Sequence, residues 1–296
     1  MNVLIIGYGS IGQQHYKSIK KIKSVKNIKI LTNDISVRNR ITINNVLSYN
    51  PDYIIISNRT KNHFKAFKFI NENFSKKKVL IEKPLFEKFF NLNFKLNNTY
   101  YVGFNLRYHP VIVYLKKFLI GKRINYYNCN CTSNLKYWRK NVTYEKSNTA
   151  CKKGGGALLE LSHEFDYTNY LIGKYTIKKN FFGKLSNLKI SAEDFFLIIA
   201  SNKRSKFIQI SANIFSNVNI RLINIEFQNI SVQGDIINNT IKIFGKKKFR
   251  KIKFTPKNLL LEQHKDILKK NPKKVSACSF KEALEVNRIV SEIKKK

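Results

Sequence analysis

Directly after the apolar run Val3-Leu4-Ile5-Ile6 the chain places Gly7-Tyr8-Gly9-Ser10-Ile11-Gly12, and a helix-like stretch from Ile11 to Lys23 follows. No other feature narrows the choice of fold as much. A buried strand that ends on glycine and turns at once into a helix is how a dinucleotide-binding βα unit begins. The first glycine permits the tight turn, the second lets the backbone approach a pyrophosphate, and the third lets the helix pack closely. The start of the helix adds unpaired backbone N–H groups that favour an anion. Gly7, Gly9, Ser10, Ile11 and Gly12 are therefore the expected phosphate cradle.

The rest of the first third repeats this texture. Short apolar runs I-K-I-L-T, Y-I-I-I-S, V-L-I-E and Y-Y-V-G-F alternate with longer segments, one of them helix-like from Phe64 to Phe74. Buried parallel strands read as such continuous runs joined by helices. The expected fold class is α/β, with an N-terminal Rossmann domain, a doubly wound parallel sheet, over residues 1–104.

After Gly103 the pattern changes to a helix over 110–120, a strand over 124–131, an irregular polar stretch and a helix over 157–172 stopped by Gly173. Strand-like runs follow at 195–201, 207–214, 220–227, 230–234 and 240–244, with few helices between them. Such a series suits a large, mostly antiparallel open sheet, so residues 105–296 are expected to form an α+β domain for substrate binding and dimerisation. The last helix, 279–294, opens with the capping-box sequence Ser279-Phe-Lys-Glu282 and is the candidate to pack back on the first domain. An open sheet leaves a face that needs cover, and a homodimer or higher homo-oligomer is the expected cover.

The second strand ends in T-N-D, which brings Asp34 to the usual place of a ribose-binding acid. A carboxylate there bonds a 2′-hydroxyl and repels a 2′-phosphate, while Thr32, Arg38 and Arg40 nearby offer that phosphate a partner. The cofactor reads as NAD or NADP, with the choice open.

Charge raises a competing reading. With 56 Lys+Arg against 18 Asp+Glu the chain carries a net +38 and attracts any polyanion. Most of that charge is lysine scattered along the whole length, and no nucleic-acid-reading motif accompanies it, so no specific nucleic-acid partner is expected. Cys129, Cys131, Cys151 and Cys278 have no zinc spacing and read as free thiols of a reducing compartment; no metal is implied. The first apolar run is too short for a secretory leader and no run reaches the length of a membrane span, so a soluble cytoplasmic protein is expected.

Four further segments stand in a telling order: I-S-N-R-T-K-N-H ending at His63, E-K-P at 82–84, G-F-N-L-R-Y-H-P at 103–110, and G-G-G-A-L-L-E-L-S-H-E-F-D-Y at 154–167. Together with the glycine loop they resemble the Gfo/Idh/MocA family of NAD(P)-dependent oxidoreductases, whose members act on hydroxyl or carbonyl groups of sugars, polyols and related molecules. The resemblance runs from residue 1 to about 173 and more loosely to the end of the chain. It implies that Lys83 is the lysine of the E-K-P motif, near both nicotinamide and substrate, and that His163 is the histidine of the G-G-G helix. It implies cofactor contacts from Ser57, Asn58, Thr60, His63, Glu82, Arg107, Trp138 and Arg139, and substrate contacts from Lys83, Arg107, Tyr108, Tyr144, Glu160 and His163. Lys146, Ser147 and Asn148, in the long interval after Arg139, are further candidates for specificity.

Two departures from the family pattern stand out. An acid usually stands four residues before the histidine, whereas Glu160 stands three before His163; both spacings share one helical face. Arg59 also stands where proline is common, which weakens the loop from Ser57 to His63 as a cofactor contact.

The residue types suit oxidation of an alcohol. A histidine with an ordinary pKa of about 6.5 takes the hydroxyl proton at neutral pH, and an adjacent carboxylate orients it. An ammonium holds the developing alkoxide, an effect on the order of 3 kcal/mol for one well-placed donor. The expected catalytic set is His163 as acid/base, Lys83 as electrostatic stabiliser and proton donor, and Glu160 as orienting partner, acting on a sugar or sugar derivative, free or nucleotide-linked. The rival readings are a dinucleotide-binding sensor or scaffold without turnover and, more weakly, a basic nucleic-acid binder. His15 reads as packing, and Trp138 stands evenly between core and site.

Overall fold

Strand β1 (Asn2–Ile6) is the apolar run before the glycines, with Val3, Leu4 and Ile5 fully buried, as befits a central strand covered on both faces. The computed structural model describes residues 1–296 except 93, 139–142, 247, 272–274 and 296. Two units emerge: unit 1 comprises Met1–Asn105 with Asn258–Ser291, and unit 2 comprises Leu106–Lys257 with Glu292–Lys296.

In unit 1, β1 leads through α1 (Ser10–Ile19) to β2 (Asn27–Leu31) and a short β3 (Arg40–Ile41). The chain then passes α2 (Val46–Tyr49), β4 (Tyr53–Ile56), α3 (His63–Asn73), β5 (Lys78–Ile81) and β6 (Thr99–Val102). The parallel order is β6-β5-β4-β1-β2-β3, so the chain reverses direction across the sheet between β1 and β4. Ligands of open α/β sheets bind beyond the strand ends at such a reversal. The crossover from β5 to β6 carries no helix among its described residues. Aromatic packing covers that part of the sheet instead: Phe90 stacks on Phe64 at 3.9 Å, and Phe86 and Phe67 are fully buried beside them.

Unit 2 starts with α4 (Pro110–Phe118) and β7 (Ile124–Asn134), followed by α5 (Ala157–Glu160) and α6 (His163–Ile172). Seven strands complete it: β8 (Thr176–Gly183), β9 (Phe195–Ser201), β10 (Ser205–Asn213), β11 (Phe215–Glu226), β12 (Ile230–Asp235), β13 (Thr240–Gly245) and β14 (Phe249–Lys253). The eight-stranded order is β14-β13-β12-β11-β7-β10-β9-β8, antiparallel throughout except for the parallel neighbours β7 and β10. One row across the sheet, Phe196, Ala212, Cys131 and Arg221, faces the helices, and its first three members are at most 4% exposed. The alternate row, Phe181, Leu197, Ser211, Asn130 and Leu222, lies on the opposite face, where none of its members is buried.

The chain ends with α7 (Leu259–Ile267), β15 (Cys278–Ser279) and α8 (Phe280–Lys295). β15 adds an antiparallel edge to β6 and brings the first sheet to seven strands. The capping box forms as its sequence requires: Ser279 N–H and Oγ donate to Glu282 Oε2 at 2.9 and 2.7 Å, and Glu282 N–H donates back to Ser279 Oγ at 3.3 Å. Among the described residues no helix is long and apolar enough to cross a membrane.

Candidate active site

The three glycines of the first loop have different surroundings. Gly7 has φ +93°, and a Cβ there would lie 2.5 Å from the Asn58 backbone; a Cβ on Gly12 would lie 2.3 Å from the Gly7 carbonyl oxygen. Both positions are closed to any side chain by packing. Gly9 caps α1 without a side-chain hydrogen bond, and a Cβ there would meet nothing within 4 Å. Its open side is therefore where an anion can approach the helix start. Ser10 beside it is exposed and Ile11 half-buried.

Ser57 and Asn58, at the end of β4, line the loop from below. Ser57 Oγ donates to the carbonyls of Gly7 and Ile6 at 3.0 and 3.3 Å, while Asn58 Oδ1 is buried with no partner among the described residues. Thr60 opens a short 3₁₀ turn that leads into α3. At the end of β2, Asp34 is fully exposed; its Oδ1 accepts from Ser36 N–H and Oγ, which hold the carboxyl below its ordinary pKa. It borders a cleft of ≈ 310 Å³ together with Tyr8, Gln13, Tyr16, Ser36 and Arg38, the two tyrosines meeting edge to face at 6.0 Å. Arg40 turns its Nε to the Thr32 carbonyl at 3.0 Å. An open glycine at a helix start, an orphaned amide oxygen and a carboxylate at the second strand's end fit a dinucleotide.

The E-K-P segment leaves β5 with Lys83 half-buried and the Lys83–Pro84 bond cis. Glu82 is 7% exposed; Oε1 lies 2.9 Å from His15 Nε2, and Oε2 accepts the Lys83 N–H at 3.1 Å. His63 is 1% exposed, with Nδ1 3.0 Å from the Pro84 carbonyl and Nε2 3.0 Å from the Asn58 carbonyl. Burial pushes its pKa down. A neutral His63 carries one N–H, so it donates to one of these carbonyls and packs against the other.

In unit 2 the triple glycine forms the turn into α5. Gly156 has φ +90°, and Glu193 braces the turn, accepting the Leu158 N–H at 3.3 Å and pairing with Lys294 at 2.9 Å. Glu160 is half-buried and accepts from Thr149 Oγ1 at 3.0 Å. The helix expected over 157–172 is in fact two, α5 and α6. Between them the turn tightens, with N–H bonds reaching three residues back from Ser162 to Leu159 and from Glu164 to Leu161. A 3₁₀ turn brings residues three apart into line, which suits the spacing of Glu160 and His163. His163, half-buried, is the first residue of α6.

Two ion pairs with buried carboxylates anchor the start of α6. Arg107 grips Asp166 with two nitrogens, at 2.6 and 3.0 Å, both side chains being 2% exposed. Arg221 on β11 meets Glu164 at 2.9 Å. Cys131 adjoins this second pair, and burial pushes its thiol up to about 12. Arg107, expected to reach the ligand, is committed to Asp166 and stacks on Tyr170 at 4.7 Å. Tyr108 is half-buried. Tyr144 OH accepts the Lys189 N–H at 3.3 Å, Ser147 Oγ donates to the Tyr144 carbonyl at 2.6 Å, and Asn148 Nδ2 donates to the Gly154 carbonyl at 2.8 Å. These last residues brace their own loop. Trp138 is 37% exposed, so it is no core residue, and its indole donates to Ser133 Oγ at 3.1 Å. Arg139 lies outside the described residues.

Sequence reasoning missed Thr149, Glu193 and Arg221 as supports. Glu193 and Arg221 come from distant strands or loops, and no local spacing announces them. Asp166 stands three residues past His163, and no local spacing announces it as the partner of Arg107.

The comparisons with known proteins bear on this geometry. Residues 1–94 match the family model described as an oxidoreductase family with an NAD-binding Rossmann fold, Gfo/Idh/MocA. Among solved structures, UDP-N-acetylglucosamine 3-dehydrogenase GnnA from Acidithiobacillus ferrooxidans is 16% identical with a TM-score of 0.79, over 100% of this chain and 97% of that one. Levoglucosan dehydrogenase in complex with NADH is 16% identical with a TM-score of 0.80, over 100% and 96% of the two chains. An oxidoreductase from Agrobacterium radiobacter in complex with NAD+, L-tartaric acid and magnesium is 13% identical with a TM-score of 0.81, over 100% and 95%. At such identities the likeness speaks for the fold alone. No curated protein matches the sequence. The fold, the glycine loop and the family match define an NAD(P)-dependent oxidoreductase. The match to the Gfo/Idh/MocA family model is confined to residues 1–94.

Proposed function

We propose that this protein transfers a hydride between a nicotinamide dinucleotide and a hydroxyl or carbonyl group of a sugar or sugar derivative, free or nucleotide-linked. The observation that carries the reading is the glycine loop, where packing closes Gly7 and Gly12 while Gly9 faces open space at the start of α1. Bound there, the dinucleotide supplies the hydride acceptor or donor. Gly9 and the first N–H groups of α1 hold its pyrophosphate, and Asp34 holds the adenosine ribose, which favours NAD over NADP.

In this reading Lys83 places an ammonium against the substrate oxygen and stabilises the alkoxide as the C–H bond breaks. His163 takes the hydroxyl proton and returns it in the reverse direction, and Glu160, steadied by Thr149, orients its ring. Arg107–Asp166 and Glu164–Arg221 fix the helix end that carries His163. The substrate class is supported by the names of two structural relatives, a UDP-N-acetylglucosamine 3-dehydrogenase and a levoglucosan dehydrogenase.

Lys83→Ala and His163→Ala are the test. Each is expected to lower turnover on the order of a hundredfold, as loss of one transition-state donor or base does, with NADH binding by fluorescence unchanged. A parent protein that binds NADH and turns over no sugar would instead support the sensor reading.

The reading extends to assembly and place. The sheet face carrying Phe181, Leu197 and Leu222 is the surface we assign to a homodimer, and Phe181 is 56% exposed on it. A single monomeric species by sedimentation at micromolar concentration would contradict this. Free Cys129, Cys131, Cys151 and Cys278 suit a reducing cytoplasm.

A further inference from the structure

Unit 1 buries two histidines that the proposed chemistry does not use, His15 on α1 and His264 on α7, both 0% exposed. His15 Nε2 lies 2.9 Å from Glu82 Oε1, and its Nδ1 lies 3.0 Å from His264 Nε2. His264 Nδ1 lies 2.9 Å from the hydroxyl of Tyr53, itself 0% exposed on β4. At the other end Lys83 N–H donates to Glu82 Oε2 at 3.1 Å. Groups from four parts of unit 1 thus join into one unbroken chain that ends on the backbone of Lys83. The carboxylate is also confined sterically, since a Cβ on Gly103 would lie 2.5 Å from Oε1.

The chain has a direction. A neutral imidazole carries one N–H, and burial together with the neighbouring His15 pushes the His264 pKa well down, so that ring is neutral. An ionised Glu82 requires an N–H on His15 Nε2. A neutral His15 then leaves Nδ1 bare to accept from His264 Nε2–H, and His264 Nδ1 accepts the Tyr53 O–H. The reverse order of neutral rings would set a bare nitrogen against the carboxylate. Every donor then finds an acceptor, the condition under which a buried polar network rigidifies its surroundings.

We propose that Tyr53, His264 and His15 are positioning residues for Lys83, acting through the Glu82 carboxylate that they hold against the Lys83 peptide. The inference rests on the reading of Lys83 as the group that holds the alkoxide. On the far side of Lys83, His63 Nδ1 lies 3.0 and 3.2 Å from the Pro84 and Leu85 carbonyls, so the segment is packed at both ends. A flexible lysine stem gains most from such a base, because a displacement of about 1 Å at a reacting group can cost on the order of a hundredfold in rate.

The test uses the full chain and the near-isosteric Tyr53→Phe, with His264→Leu as the stronger break and His264→Gln as the conservative replacement. In the parent protein, long-range ¹H–¹⁵N NMR of the imidazoles is expected to find both His15 and His264 protonated on Nε2 only. Tyr53→Phe is expected to speed amide exchange at Lys83 and to lower kcat roughly tenfold with the NADH dissociation constant unchanged. His264→Leu should fall further, and His264→Gln, which keeps a donor toward His15, should recover part of the loss. If His264→Leu fails to fold, Tyr53→Phe still decides. A His15 protonated on Nδ1, or a Tyr53→Phe protein unchanged in both kcat and Lys83 exchange, overturns the proposal. A parent protein without turnover overturns the hydride-transfer reading, whereas the tautomers and the Lys83 exchange rate still decide the chain.

Discussion

In the interior of unit 2, Arg107 donates hydrogen bonds from two nitrogens to the Asp166 carboxylate, both side chains being 2% exposed. A buried pair of this kind adds little net stability, because both ions lose their hydration; removing one partner is far more costly, because the other charge is left behind. Asp166→Asn is therefore expected to destabilise the protein by about 3–5 kcal/mol. Urea unfolding measures it, and a midpoint within error of the parent would refute the assignment. Glu82 follows the same logic in unit 1: a carboxylate that E-K-P suggests is aimed at the cofactor is held by His15 and the Lys83 N–H.

At the scale of elements, β1, the glycine loop and α1 form a single device. Gly12→Ala would drive a methyl into the Gly7 carbonyl, whereas Gly9→Ala adds it in open space. Gly9→Ala is thus expected to keep the parent melting temperature and to lose NADH affinity at least tenfold, as a methyl blocks the backbone's approach to the pyrophosphate. Unchanged affinity by fluorescence titration would place the dinucleotide elsewhere.

Elements with a strong local signature were legible in the sequence. The V-L-I-I strand, the capping box at Ser279 and Glu282, and the strand at Phe195–Ser201 all stand where their patterns put them. The helix α7 was not foreseen, because L-L-L-E-Q-H-K-D-I carries its start signal in one cap, Asn258 Oδ1 accepting the Leu261 N–H at 3.0 Å. Strands β8 and β14 were missed for another reason: their exposed lysines and phenylalanines break the alternation that marks a half-buried strand. The same limit applied to the site. Gly7, Gly9, Gly12, Lys83 and His163 sit in contiguous motifs, whereas His264 reaches Tyr53 and His15 only after folding.

For the whole molecule, the histidines tie stability to pH. Burial depresses the pKa of His63, His109 and His264, so the folded protein binds fewer protons than the unfolded chain once the pH falls below the ordinary histidine value. Their contribution to stability is complete above about pH 6.5 and is lost as the pH falls from there toward the folded values, by about 1.4 kcal/mol per pH unit for each fully buried ring. Unfolding midpoints in urea are expected to drop steadily from pH 7 to pH 5; a flat profile would mean that these rings are charged in the fold. The net charge of +38 adds self-repulsion that salt screens, so the ionic strength must be held constant across the series.

The central claim, hydride transfer to a nicotinamide from a sugar-like alcohol, is tested most directly by following reduced-nicotinamide absorbance. The parent protein with NAD+ is mixed in turn with a panel of sugars and nucleotide-linked sugars, with Lys83→Ala run in parallel. The account predicts an absorbance rise with at least one member of the panel and its near-abolition in the variant. Tight NADH binding with no rise for any member, or an equal rise in the variant, would contradict it.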